Sequence, residues 1–120
     1  MPANRRRGEV EATFDGRPRR LALTLGALAE LEGAFGVPDL VALAERFEAG
    51  RLSARDVTLI LGAGLRGGGA ETGDDEVARM THADGAAGFV RVVADLLAAT
   101  FGPAGEGGRA EASGPFPGTN

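Results

Sequence analysis

The chain has 120 residues, enough for one domain with its own core and too few for two ordinary ones. Hydrophobic residues make up 43% and charged residues 25%, which fits a folded chain, and the absence of cysteine excludes disulfides and thiolate metal sites. All 13 basic residues are arginine against 17 acids, the pI is ≈ 5.0, and Tyr and Trp are absent, so a nucleic-acid partner is not expected.

No uncharged apolar run approaches the roughly 18 residues of a membrane span. The start, "MPANRRRGEV", lacks the apolar stretch of a secretory signal, so a cytoplasmic location is expected. Residues 1–7 read as a flexible basic terminus.

The first structured element is a β-hairpin over 8–23. In "GEVEATF", Val10, Ala12 and Phe14 alternate with Glu9, Glu11 and Thr13. Asp15-Gly16 then predicts a two-residue type I′ turn, since both residues tolerate positive φ. That turn sets Phe14 opposite Arg17, Glu11 opposite Arg20 and Val10 opposite Leu21, and Pro18 must fall where no ladder donor is needed.

From residue 24 to 102 the period is helical. Thr24 is the expected N-cap of "LGALAELEGAF", with Leu25, Leu28, Leu31 and Phe35 on one side and Gly36 at its end. Pro38, in the first turn, opens a second helix with Leu40, Leu43, Ala44 and Phe47 as its apolar stripe, closed by Gly50. Ser53 with Asp56 caps a third, whose face is Val57, Ile60, Leu61, Gly64 and Leu65. A short fourth helix, "DEVARMTHA", and a fifth after Gly85 follow, the fifth carrying Phe89, Val92, Val93, Leu96, Leu97, Thr100 and Phe101 before Gly102-Pro103 ends it. Residues 103–120 are rich in Gly and Pro and read as a disordered tail, with Phe116 its lone aromatic. The expected fold is thus α+β and mostly α, one globular domain over 8–102 in which five short helices form a compact bundle behind the hairpin.

Candidate chemistry is thin. Gly62, Gly64 and Gly67 spell G-x-G-x-x-G, the spacing of a dinucleotide fingerprint, but that motif needs a strand before it and a helix directly after it. Here the preceding residues carry a helix cap and helical period. The reading preferred is a helix whose Gly62 and Gly64 let a neighbour approach and whose Gly67 caps its end. His82 is the one histidine and has no nucleophile beside it, so it is expected to cap carbonyls or face water. Asp74, Asp75 and Glu76 complement a helix start, and Glu30 and Glu32 point to different sides of their helix. No catalytic residues, metal or cofactor are assigned, and no enzyme is expected.

In order and spacing, "RRGEVEATFDGRPRRLALTLGALAELEGAFG", "LSARDVTLILGAGLRGGG" and "GFVRVVADLLAATFG" resemble the gene-transfer-agent and phage tail assembly chaperone family, over roughly residues 5–102. The resemblance implies a role without catalysis: coating the long helical tape-measure protein until tail-tube subunits polymerise around it. The same family is also described as tail tube protein, which implies instead a structural subunit of the finished particle tail. Tail-tube folds are rich in β-strands, so a chain with five helices among seven elements leans to the chaperone. The partners implied are the tape-measure protein or other tail proteins, with self-association as the other option and no small-molecule substrate or membrane. The contact surface expected on the hairpin is Phe14 and Leu21 with Arg17 and Arg19 beside them; the competing expectation is that Phe14 and Leu21 simply roof the helices.

Overall fold

A computed structural model describes residues 8–102. The expected flexible terminus and disordered tail lie outside these residues. The element order is β1 (Glu9–Phe14), β2 (Arg17–Ala22), α1 (Leu25–Phe35), α2 (Leu40–Glu48), α3 (Ala54–Gly67), α4 (Asp74–Ala78) and α5 (Gly85–Phe101).

The hairpin has the predicted register, with Phe14 opposite Arg17, Glu11 opposite Arg20 and Val10 opposite Leu21. Asp15 and Gly16 both have positive φ, 55° and 75°, as a type I′ turn requires. Since Phe14 and Arg17 flank the turn, they form a hydrogen-bonded pair, and alternation makes Thr13–Pro18 a non-hydrogen-bonded one. Pro18 therefore sits where a missing N–H costs the ladder nothing.

Caps set most helix starts. Thr24 accepts from the Ala27 N–H at 3.1 Å, and Ser53 and Asp56 exchange bonds in a complete capping box at 3.1 and 3.0 Å. The start of α2 differs from expectation. Pro38 lies before the helix and not in its first turn: Asp39 is the cap, its carboxylate accepting from the Ala42 N–H at 2.8 Å, and the first helical residue is Leu40. The fourth helix is also shorter than predicted and stops at Ala78; beyond it the Thr81 N–H and carbonyl bond to Asp15 of the hairpin turn instead of continuing the helix.

The core is one cluster roofed by the hairpin. Val10, Phe14 and Leu21 from the strands meet Leu28 and Leu31 of α1, Leu43 of α2, Ile60 and Leu65 of α3, Val77 of α4 and Val93 and Leu96 of α5. α3 is the central element, buried from Ile60 to Leu65 and packed against the hairpin, α1, α4 and α5. Three stripe positions depart from the helical reading: Leu25 and Leu40 open their helices on the solvent side, Leu25 at 79% exposure, and Phe101 is exposed at the end of α5.

Candidate interaction surface

The G-x-G-x-x-G glycines all lie inside α3, and each absent side chain makes room for something different. A Cβ on Gly64 would stand 2.7 Å from Leu96 Cδ2 and 3.3 Å from Leu21 Cδ2, so this glycine lets α5 and β2 close on α3, as expected. Gly62 instead leaves space for the Arg66–Asp74 ion pair. Gly67 is not the cap. The helix runs through it to a cap at Gly68, and a Cβ on either residue would collide with a β2 carbonyl, Ala22 O for Gly67 and Arg20 O for Gly68.

Those two collisions locate the outer edge of β2. Pro18, Arg20 and Ala22 occupy the non-hydrogen-bonded positions of the ladder, so their carbonyls point away from β1. The last turn of α3 lies against them, and the Arg20 guanidinium reaches the Gly68 carbonyl at 3.5 Å. One edge of the sheet is therefore covered. On the other edge, the backbone groups of Glu11 and Thr13 point outward from β1, and among the described residues they take no backbone partner there. Both side chains are exposed.

The tip of the hairpin is tied down. The Asp15 N–H donates to the Thr81 carbonyl at 3.0 Å, and the Asp15 carboxylate accepts from the Thr81 N–H and hydroxyl at 2.9 and 2.8 Å. Those bonds, the hydroxyl's above all, hold the Asp15 carboxyl below its usual range, with a smaller contribution from Arg19 and Arg17. Glu76 is held low in the same way, by the Gly73 N–H first and the Thr72 hydroxyl second.

The four residues expected to make the contact surface separate. Phe14 and Leu21 are 1% and 0% exposed, so they roof the helices and present nothing to a partner in this fold. Phe14 stacks on Phe89 at 5.7 Å between ring centroids. Arg17 is exposed beside the turn. Arg19 is half-buried, and its Nε is enclosed with no hydrogen-bond partner among the described residues.

His82 departs from both of its expected roles. It is half-buried and meets Phe14 and Phe89 edge-on at 6.1 and 5.8 Å, while its Nδ1 accepts the Asp84 N–H at 3.0 Å. Gly88 leaves room for the ring. It is a packing residue at the start of α5. Among the acids, Asp74 pairs with Arg66 at 3.1 Å and Glu76 closes the start of α4, so neither is a spare ligand. Among the described residues, no group of three His, Asp or Glu side chains is placed to hold a metal ion, and no helix is long and apolar enough to cross a membrane.

Sequence reasoning missed the uneven edges of the sheet and the clamp made by Arg66. Its Nη2 and Nε reach Glu30 Oε1 at 2.7 and 3.2 Å, and its Nη1 reaches Asp74 and the Thr72 carbonyl. The bond to Glu30, outweighing the cost of partial burial, pushes the guanidinium further up than usual. The "GLRGGG" turn is thereby fastened to α1 and to the loop before α4. Glu30 lies 36 residues before Arg66, a separation that no local pattern reports.

With this geometry in view, the comparison with known families is specific. The family model described as "Phage tail tube protein, GTA-gp10" matches residues 7–103. The chain belongs to that family. The match spans every element from β1 to α5, so the hairpin and the helices are one family unit, related to the tails of phages and gene transfer agents. No curated protein and no solved structure matches the chain.

Proposed function

We propose that this GTA-gp10 family member is a non-enzymatic tail assembly chaperone that binds the tape-measure protein, or another tail protein, during tail morphogenesis and leaves before the particle is finished. One observation carries the reading. The only sheet among the described residues has two strands, and α3 covers the outer edge of one of them. A wall of β-strands running from subunit to subunit needs both edges of the sheet. A protein with one accessible edge is suited to holding one partner at a time.

The second reading is a structural tail-tube subunit, favoured by the family's own description. The two differ in where the protein ends up. Under the first it stays in the cytoplasm of the producing cell; under the second it is part of the particle tail.

Mass spectrometry of purified particles beside the producing-cell lysate, with a pull-down from that lysate, separates them. The chaperone reading expects the protein in the lysate, bound to the tape-measure protein and missing from particles. Many copies per finished particle would establish the subunit instead.

A further inference from the structure

We propose that the outer face of α5 pairs two copies of this chain, through antiparallel helices related by a two-fold axis at Ala94. The pairing is separate from the choice between chaperone and structural subunit and is compatible with either.

Of the 17 residues of α5, only Arg91, Asp95 and Thr100 are polar. A helix that is apolar on nearly every side is expected to be covered on every side. Its inner side is covered, with Gly88, Val92, Val93 and Leu96 buried where α5 packs on the hairpin and α3. The outer side is not. There Ala87, Val90, Ala94, Ala98 and Phe101 recur every three or four residues and so form one stripe along the helix. Ala87 and Ala94 are exposed, Ala98 is half-buried, and Val90 and Phe101 keep 56% and 38% of their surface. At the C-terminal end Phe101 leans on Phe47 of α2, 6.2 Å between ring centroids, and still stays open to a partner.

This stripe complements itself. In an antiparallel pair centred on Ala94, Phe101 of each copy falls over Ala87 of the other, and Val90 over Ala98. Large residues meet small ones, and Ala94 meets its own counterpart on the axis, where two methyl groups let the helices close to about 8 Å. Sliding one helix by about two turns leaves either Phe101 or Val90 without a counterpart. A parallel two-fold pair must match each residue with itself, which stacks Phe101 on Phe101, leaves a gap at Ala87 and aligns the two helix dipoles. The charges agree with the antiparallel choice. Two-fold symmetry brings the same flank of both helices together, and that flank carries Arg91 and Asp95. Arg91 of each copy then lies within reach of Asp95 of the other. Inside one chain Arg91 bonds Asp84 at 3.1 Å, while Asp95 makes no ion pair among the described residues. The guanidinium has donors enough for both carboxylates. A helix of another protein would have to bring this order of sizes and charges, whereas a second copy already carries it.

The test is sedimentation of the purified full chain over a range of concentrations. One pair of helices about 25 Å long buries less than the roughly 800 Å² per partner of a stable complex. A reversible dimer is therefore expected, half dissociated at micromolar concentration. Ala94→Arg sets two cations on the axis from an exposed position and should weaken the dimer about a hundredfold. Arg91→Asp and Asp95→Arg should each weaken it about tenfold, because every dimer holds two such pairs, and the double variant should regain the parent's affinity. Circular dichroism checks that each variant keeps the fold. The chain has no cysteine, so introduced thiols report the register. Ala94→Cys should oxidise to a linked dimer by itself, and Ala87→Cys and Phe101→Cys should link only when mixed. The proposal is overturned if the chain stays monomeric up to about 1 mM, if the dimer survives Ala94→Arg, or if Ala87→Cys links to itself as fast as Ala94→Cys. In producing cells, a photo-crosslinking residue in place of Ala94 should join two copies of the chain. Capture there of a different tail protein, or of residues 103–120 of its own chain, overturns the proposal as well.

Discussion

At the scale of single residues, glycines that look alike in sequence carry opposite expectations. Gly33, inside α1, has nothing within 4 Å of an added Cβ and ordinary helical φ. Gly33→Ala should therefore raise stability by up to about 1 kcal/mol, the helix-propensity difference. Gly64→Ala would push into Leu96 and Leu21, both fully buried and unable to swing aside. Overpacking of about 1–3 kcal/mol should exceed the propensity gain, giving a net loss. Gly67→Ala should be worse, since the atom in the way is a backbone carbonyl of β2. Urea midpoints for the three variants check the order, and equal midpoints for Gly33→Ala and Gly67→Ala would disprove the account of the β2 edge.

Asp15 gives a prediction with a defined pH sign. Its carboxyl is held below the ordinary aspartate value of 3.8 by the Thr81 bonds, so the folded state favours the charged form. The stability this contributes is fully present above 3.8 and disappears as pH falls through the lower folded value. Asn also suits the first position of a type I′ turn, so Asp15→Asn isolates the charge. The variant should melt below the parent at neutral pH, and the two curves should converge below 3.8. A gap that stays constant down to acid pH would mean that the turn, not the carboxylate, is responsible.

At the scale of elements, local signals carried well where a cap or a turn specifies geometry within four residues. The Asp15-Gly16 turn, the Thr24 cap and the Ser53–Asp56 box were all legible for that reason. Ser53→Ala should cost about 1 kcal/mol through loss of its bond to the Asp56 N–H. Signals that depend on a neighbour's position were not legible. Pro38 fits a helix start, yet the carboxylate of Asp39 one residue later offers the better cap. Gly67 fits a helix end, yet the close β2 carbonyls need both Gly67 and Gly68 bare. Arg66 is the extreme case, with partners on α1, on the loop before α4 and at the first residue of α4. Arg66→Lys keeps the charge but loses the fork that serves Glu30, Asp74 and Thr72 together. Because the pairs are partly exposed, the expected cost is only about 1 kcal/mol. The sharper sign is local: amide hydrogen exchange in residues 68–74 should speed up while that in the middle of α3 stays slow. Uniform acceleration across both would show that the clamp supports the whole fold and not this turn.

At the scale of the whole molecule, alternation in β1 and β2 showed which face of the hairpin is apolar but not what covers it. A two-stranded hairpin with one apolar face can present that face to a partner or bury it on its own helices, and both uses have the same sequence. Here the helices win. Leu21 meets the bare surface at Gly64, Phe14 stacks on Phe89, and the Asp15–Thr81 bonds fix the tip, so the surface left to a partner is the outer face, the β1 edge and Arg17. The hairpin is then part of the cooperative unit and not a detachable arm. Phe14→Ala and Leu21→Ala should each cost about 2–5 kcal/mol, the range for truncating a fully buried large side chain. For a chain of this size that approaches the whole of its stability. The loss should appear in the helical circular dichroism signal, although both residues lie on strands. If instead the helices melt unchanged while partner binding is lost, the hairpin is an independent docking element, and Phe14 and Leu21 return as its contact residues.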